Sequence, residues 1–162
     1  MVSDADRKHL RRAIELARAA LELGNSPFGS VLVSGDDKVL AEDHNREGGG
    51  DATRHPEFDL ARWAATHMTP DERAKATVYT SGEHCAMCSA AHAWVGLGRI
   101  VYAVSSQQYR QWKVELGVTQ ESPVRPLPIQ EVAPFVKVEG PVPEFEDEVH
   151  ELHRRAFARN KS

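Results

Sequence analysis

ATVYTSGEHCAMCSAAHAWVGLGRIVYAV, residues 76–104, decides the fold class. Ala76-Thr-Val-Tyr-Thr80 is a β-branched run that predicts a strand. Cys85 to Leu97 predicts a buried helix closed by Gly96 and Gly98, and Arg99-Ile-Val-Tyr-Ala-Val104 predicts a second strand. Upstream, Thr53 or His55 opens a helical pattern through about His67, with Phe58, Leu60, Ala61, Ala64 and Ala65 as its apolar positions. Pro56 falls in its first turn, where a missing N–H costs nothing.

Further upstream, residues 6 to 23 place Leu10, Ala13, Ile14, Ala17 and Leu21 at helical spacing, with Asp4 or Asp6 as the cap and Gly24-Asn25 as the stop. Phe28 to Ser34 and Lys38 to Glu42 flank Gly35-Asp36-Asp37 and read as a β-hairpin. Asn45 to Asp51, with three consecutive glycines, reads as a loop that no helix or strand crosses. Beyond Ser106 the pattern weakens. Pro126, Pro128, Pro134, Pro141 and Pro143 leave room only for a short strand near residues 136–138, and Glu144 to Arg159 predicts a charged amphipathic helix. The order α-β-β-α-β-α-β suggests a layered α/β domain.

At 162 residues, 41% apolar and 27% charged, the chain has the size and composition of one ordinary globular domain, not of a disordered one. No run approaches the roughly 18 apolar residues of a membrane span, and the N-terminus lacks the apolar region of a signal peptide. A cytoplasmic location is expected. The net charge of −4 argues against a protein that lives on nucleic-acid phosphates.

The only cysteines, Cys85 and Cys88, sit in one Cys-x-x-Cys, so no disulfide scaffold is expected. With His55 they make three soft donors suited to zinc, leaving the fourth position of a tetrahedron open. Cys85 and Cys88 share a helix face at its N-terminus, where free N–H groups and the dipole favour thiolates. Glu57, two residues beyond His55, is a carboxylate able to move a proton beside a metal-activated water. Two other readings stand beside this one: a redox dithiol, and a closed structural zinc site with His84 or His92 as fourth ligand. The remaining histidines (His9, His44, His67, His92, His150 and His153) read as exposed or helix-face residues. Tyr109 and Trp112 suit either a heterocycle or a core. Arg154, Arg155, Arg159 and Lys161 read as a solvated helix end.

His-x-Glu followed by Cys-x-x-Cys is the signature of zinc deaminases. The chain resembles the cytidine deaminase superfamily, in its nucleobase and tRNA adenosine deaminase branch, over roughly residues 5 to 106. Pro27-Phe28-Gly29-Ser30-Val31-Leu32-Val33 is similar to that branch's first strand, and Asp43-His44-Asn45-Arg46 to its second-strand end. Asp51-Ala-Thr-Arg-His55-Pro-Glu57 and Ser81-Gly-Glu-His-Cys85-Ala-Met-Cys88 are similar to its two metal segments. Two positions depart from the family pattern: Pro56 between the histidine and the glutamate, and His84 before the first cysteine. His84 is expected to alter the pocket rim or to set a polar group against the substrate.

The resemblance implies a three-layer α/β/α fold around a mixed sheet of about five strands, Zn2+ on His55, Cys85 and Cys88, and Glu57 as the acid/base of a hydrolytic deamination. It implies that Asn45 contacts the substrate, with Phe28 as a stacking face, and that the chain is a homodimer. The helix over about 144–159 is expected as a pocket lid or dimer element. The substrate is expected to be a free nucleobase, nucleoside or small aminated heterocycle, guanine first and cytosine-like rings next. A tRNA-specific adenosine deaminase and a catalytically silent zinc-binding module are the alternatives. Against tRNA stand the negative charge, the acidic stretch Glu144 to Glu151 and the loop Ser105-Ser-Gln-Gln-Tyr109, which carries no basic residue.

Overall fold

The computed structural model describes residues 1–160. Five strands form one sheet in the order β2-β1-β3-β4-β5. They are β1 (Gly29–Val33), β2 (Val39–His44), β3 (Thr77–Gly82), β4 (Arg99–Val104) and β5 (Val138–Glu139). β1 runs antiparallel to β2 and β3, whereas β3, β4 and β5 are mutually parallel. The sheet is therefore mixed, as expected.

Side chains alternate across it, as the two-residue period of a strand requires. Val31, Val33, Tyr79, Val101 and Ala103 point to one face, where they meet Leu10, Ala13, Ile14 and Ala17 of α1 (Asp4–Glu22), Trp112 of α5 (Ser106–Glu115) and Val149 and Leu152 of α7 (Glu146–Arg159). Leu32 and Val78 point the other way, onto Leu60, Ala61 and Ala64 of α2 (Pro56–His67), with Leu97 at the end of α4 (Ala86–Trp94). Ile100 and Tyr102 meet Ile129 of the short α6 (Ile129–Val132) on that second face. The result is three layers, with the β3–α4–β4 crossover fixing which strand ends face the functional residues.

Several boundaries differ from the sequence reading, each for a local reason. Ser3, not Asp4 or Asp6, caps α1; Asp6 is the reciprocal N3 partner, in a capping box. α3 (Pro70–Lys75) and α5 were not expected, yet each carries the same device: Thr69 with Glu72, and Ser105 with Gln108. The glycine loop contains one 3-10 turn, Glu47–Gly49. The strand placed near 136–138 begins two residues later, at Val138, and is only two residues long. Of the basic tail, Arg154 pairs with Glu151 at 2.6 Å and Arg159 donates to the carbonyl of Leu21 at 2.9 Å, closing the C-terminus of α1. Lys161 lies outside the described residues. Among the described residues no helix is long and apolar enough to cross a membrane.

Candidate metal centre and active site

Two helix starts converge at the site. His55 is the N-cap of α2 with extended backbone, and Pro56 takes the first helical position. Cys85 is the N-cap of α4, with Cys88 one turn inside it. Neither N-cap makes a side-chain cap bond, so both donor side chains are left for another partner while the helix dipoles favour negative charge there.

His55 Nδ1 lies 3.5 Å from Cys85 Sγ and 3.6 Å from Cys88 Sγ. Tetrahedral zinc with bonds of about 2.3 Å to sulfur and about 2.05 Å to nitrogen demands an N···S separation of about 3.6 Å. The donor set therefore fits zinc in both chemistry and spacing. Among the described residues no fourth His, Cys, Asp or Glu joins these three, whose ligand atoms all lie within 4.8 Å of one another. That disposes of the closed site with His84 or His92. Without an ion the donors share protons: Cys88 and His55 hold the Cys85 thiol well below its usual range, Cys85 raises the His55 imidazole in turn, and Cys85 together with burial pushes the Cys88 thiol up, so a metal would displace protons from the set.

Glu57 is 6% exposed on the first turn of α2. Its Oε1 is 2.9 Å from the Ser30 hydroxyl and 3.3 Å from that of Thr80. Ser30 and Thr80 are directly paired across β1 and β3, and their oxygens are 2.9 Å apart. Each hydroxyl has one proton, so the two share them among Glu57, each other and the Gly82 carbonyl 3.0 Å from Thr80. Burial pushes the Glu57 carboxyl up to about 7, against the opposing pull of the His55 charge.

Asn45 directly follows β2 and is 1% exposed, its N–H bonded to the Phe28 carbonyl at 2.9 Å. Its amide is gripped by Glu47: Nδ2 donates to Glu47 Oε2 at 2.5 Å, and Oδ1 accepts from the Glu47 N–H at 2.9 Å. The Phe28 ring meets Tyr109 edge-on at 5.6 Å and His153 at 5.0 Å. It also lies against Gly82, where an added Cβ would come within 3.1 Å of it.

His84 does not rim a pocket. It is fully buried, edge-on to His92 at 5.5 Å. His9, His92 and His153 are likewise buried, helix-face residues of α1, α4 and α7 that turn inward and are not exposed. Trp112 is core, stacked on His150, whereas Tyr109 is half-buried between Phe28 and α7. The sequence reading missed Ser30, Thr80 and Glu47. Ser30 carries a faint signal, a hydroxyl inside an otherwise apolar strand; Glu47 carries none that separates it from a solvated loop acid.

Comparison with known proteins agrees with this arrangement. A family model described as the cytidine and deoxycytidylate deaminase zinc-binding region matches residues 3–104. A probable cytosine deaminase of Schizosaccharomyces pombe is 31% identical over 156 residues, covering 88% of this chain and 91% of that protein. A tRNA-specific adenosine deaminase of Agrobacterium fabrum is 34% identical over 116 residues, 70% of this chain and 74% of that protein. The structure of a guanine deaminase from Nitrosomonas europaea superposes with a TM-score of 0.71 at 19% identity, covering 98% of this chain and 86% of that one, a likeness of fold. The redox reading of Cys85 and Cys88 gives way to these matches. With both cysteines, His55 and Glu57 inside the matched region, the chain belongs to the cytidine and deoxycytidylate deaminase family of zinc-dependent deaminases.

Proposed function

We propose that this chain hydrolytically deaminates a free nucleobase or similarly small aminated heterocycle and releases ammonia, with guanine first and cytosine-like rings next. The observation that carries the reading is Glu57: a buried carboxyl, tuned to about 7, anchored by Ser30 and Thr80 beside a three-donor zinc set with an open fourth position. His55, Cys85 and Cys88 hold the zinc. When bound, zinc supplies a water acidic enough to act as nucleophile near neutral pH. Glu57 would carry both protons of that water in turn, the first to the ring nitrogen and the second, from the hydroxyl added to the ring carbon, to the departing amine. Its anchored oxygen fixes the carboxyl plane, so the proton moves along one direction.

Asn45 and Phe28 contact the substrate. The Asn45 amide keeps one N–H and one oxygen lone pair beyond those Glu47 uses. Phe28 and Tyr109, backed by the buried His153 ring of α7, supply an aromatic wall suited to a flat ring. In this reading α7 closes the pocket and residues 1–162 form a single cytoplasmic deaminase domain. A small substrate is favoured over tRNA because the first turn of α7 is acidic, at Glu146, Asp147 and Glu148, and because Arg154 and Arg159 are committed within the chain. The homodimer is supported by an apolar patch around a cleft of about 760 Å³, where Trp94 is 88% and Phe135 100% exposed.

Ammonia release measured over guanine, cytosine, adenine, their nucleosides, aminotriazines and a tRNA anticodon stem-loop tests the proposal. Turnover of a free base or small ring is expected. Inosine formation in the stem-loop with no ammonia from any small ring overturns it in favour of the tRNA enzyme, and ammonia from nothing leaves the silent zinc module.

A further inference from the structure

We propose that Glu47 is a positioning residue that braces the metal-binding imidazole of His55 and ties it to the Asn45 amide. The inference rests on the metal reading above. It begins in the loop Asn45-Arg-Glu-Gly-Gly-Gly-Asp51, which separates the end of β2 from the start of α2. A 3-10 turn at Glu47–Gly49 is followed by Gly50 at φ 101°, a left-handed conformation that glycine adopts without strain. The Arg46 N–H bonds the Arg54 carbonyl at 3.0 Å, so the chain doubles back and brings Glu47 beside His55. Asn25 pins the turn from outside, its Oδ1 accepting from the Gly48 N–H at 2.8 Å.

Within that turn both oxygens of the Glu47 carboxylate are committed. Oε2 receives the Asn45 amide at 2.5 Å, and Oε1 stands 3.6 Å from Nε2 of His55. The other ring nitrogen, Nδ1, is the one that faces both sulfurs. An imidazole that offers the Nδ1 lone pair to a metal must carry its hydrogen on Nε2, and a carboxylate on that side favours this tautomer and holds the ring plane. One carboxylate thus ties the metal side of the site to Asn45. A glutamate whose only task was to close the loop would not need its side chain turned to the imidazole.

The experiment is competition for zinc between a chelator and the zinc-loaded protein, in wild type, Glu47→Ala and Glu47→Gln, with urea unfolding of each metal-free protein alongside. Loss of an outer-shell partner typically weakens metal binding by about 10- to 100-fold. That loss is expected in Glu47→Ala, and is expected to be larger than the loss of metal-free stability that comes from leaving the buried Asn45 amide without its acceptor. Glu47→Gln keeps an acceptor oxygen on the same stem and is expected to recover most of the affinity. Zinc affinity in Glu47→Ala within about twofold of wild type overturns the proposal, as does a loss matched by an equal loss of metal-free stability. A wild-type protein that takes up no zinc, or a Cys85→Ala variant that keeps it, overturns the metal reading and this inference with it.

Discussion

The roles proposed for Glu57 and for the two cysteines are ones that substitutions can separate. Removing a ligand from a three-donor set abolishes or strongly weakens binding, so Cys85→Ala and Cys88→Ala are expected to lose the roughly one zinc per chain that wild type carries. Glu57→Ala is expected to keep its zinc and lose at least about 10²-fold in turnover, the lower end for general acid–base catalysis. Elemental analysis and ammonia assays on the same preparations check both; metal-free Glu57→Ala would make the glutamate a ligand instead. A second residue-scale effect concerns acid. Burial pushes His92 down to about 4 and His153 down to about 3, the latter aided by the His150 charge. In the unfolded chain both titrate near the usual value of about 6.5. Between those limits the unfolded state binds more protons, so stability is full above about pH 6.5 and falls as the pH drops through the window, by up to about 1.4 kcal/mol per pH unit for each ring. Glu57, raised to about 7 in the fold, works the other way over the same range, so the difference between proteins carries the test: urea midpoints of zinc-stripped protein between pH 7 and 5 should fall less steeply with acid in His153→Phe than in wild type. An unchanged slope in His153→Phe would mean that His153 titrates normally in the fold.

At the scale of elements, closeness of approach does what sequence pattern cannot announce. α1 lies so near β1 that a Cβ at Gly29 would sit 2.3 Å from the Ala13 carbonyl oxygen and 2.6 Å from the Ala17 nitrogen. Backbone cannot give way as a flexible side chain can, so Gly29→Ala is expected to cost about 3 kcal/mol or to prevent folding. Chemical denaturation decides it; a stability within about 0.5 kcal/mol of wild type would show that α1 can slide. The helices themselves were legible where an apolar stripe marks them: Leu10, Ala13, Ile14, Ala17 and Leu21 of α1 are all buried as their spacing demands. α3 and α5 bury little, among their residues only Trp112 of α5, so no stripe revealed them although their capping residues were in plain view. Glu83 shows how such weakly amphipathic elements are nonetheless fixed. Its carboxylate accepts from the Ser106 N–H at 3.0 Å and the Ile129 N–H at 2.9 Å, holding the starts of α5 and α6 together.

For the whole molecule, the open question of surface is the patch at Trp94 and Phe135. Trp94 ends the zinc-bearing helix α4, and Phe135 follows α6, with Leu97 and Ala133 forming the floor between them. If two copies meet there, replacing both aromatics (Trp94→Glu with Phe135→Ser) is expected to convert a dimer into a folded monomer. Sedimentation of wild type and variant at micromolar concentration reads this directly, and a variant that remains dimeric would move the interface elsewhere. The ends of the sheet point the same way as the chemistry: β3 leads into Cys85 and β2 into Asn45, so metal set and Asn45 both follow strands.

The sequence by itself determined the layered α/β class and the three donors suited to zinc, and it marked Glu57 as the proposed acid/base, because those depend on local periodicity and on rare residue types at short, recognisable spacings. His55 and Cys85 also stand at helix starts for local reasons, a proline at the first turn and a break after a strand. Only the tertiary structure decided which ordinary residues serve the site. Ser30 and Thr80 lie 50 positions apart and reach Glu57 because antiparallel register pairs them across β1 and β3. Glu47 reaches His55 because a glycine turn folds back on itself. His84, His92 and His153 are buried because of where the α4 and α7 faces land, not because of anything in their own neighbourhoods of sequence. Hydroxyls, loop acids and histidines are common on any surface, and their chemistry is set by what the fold packs against them and how much water it removes.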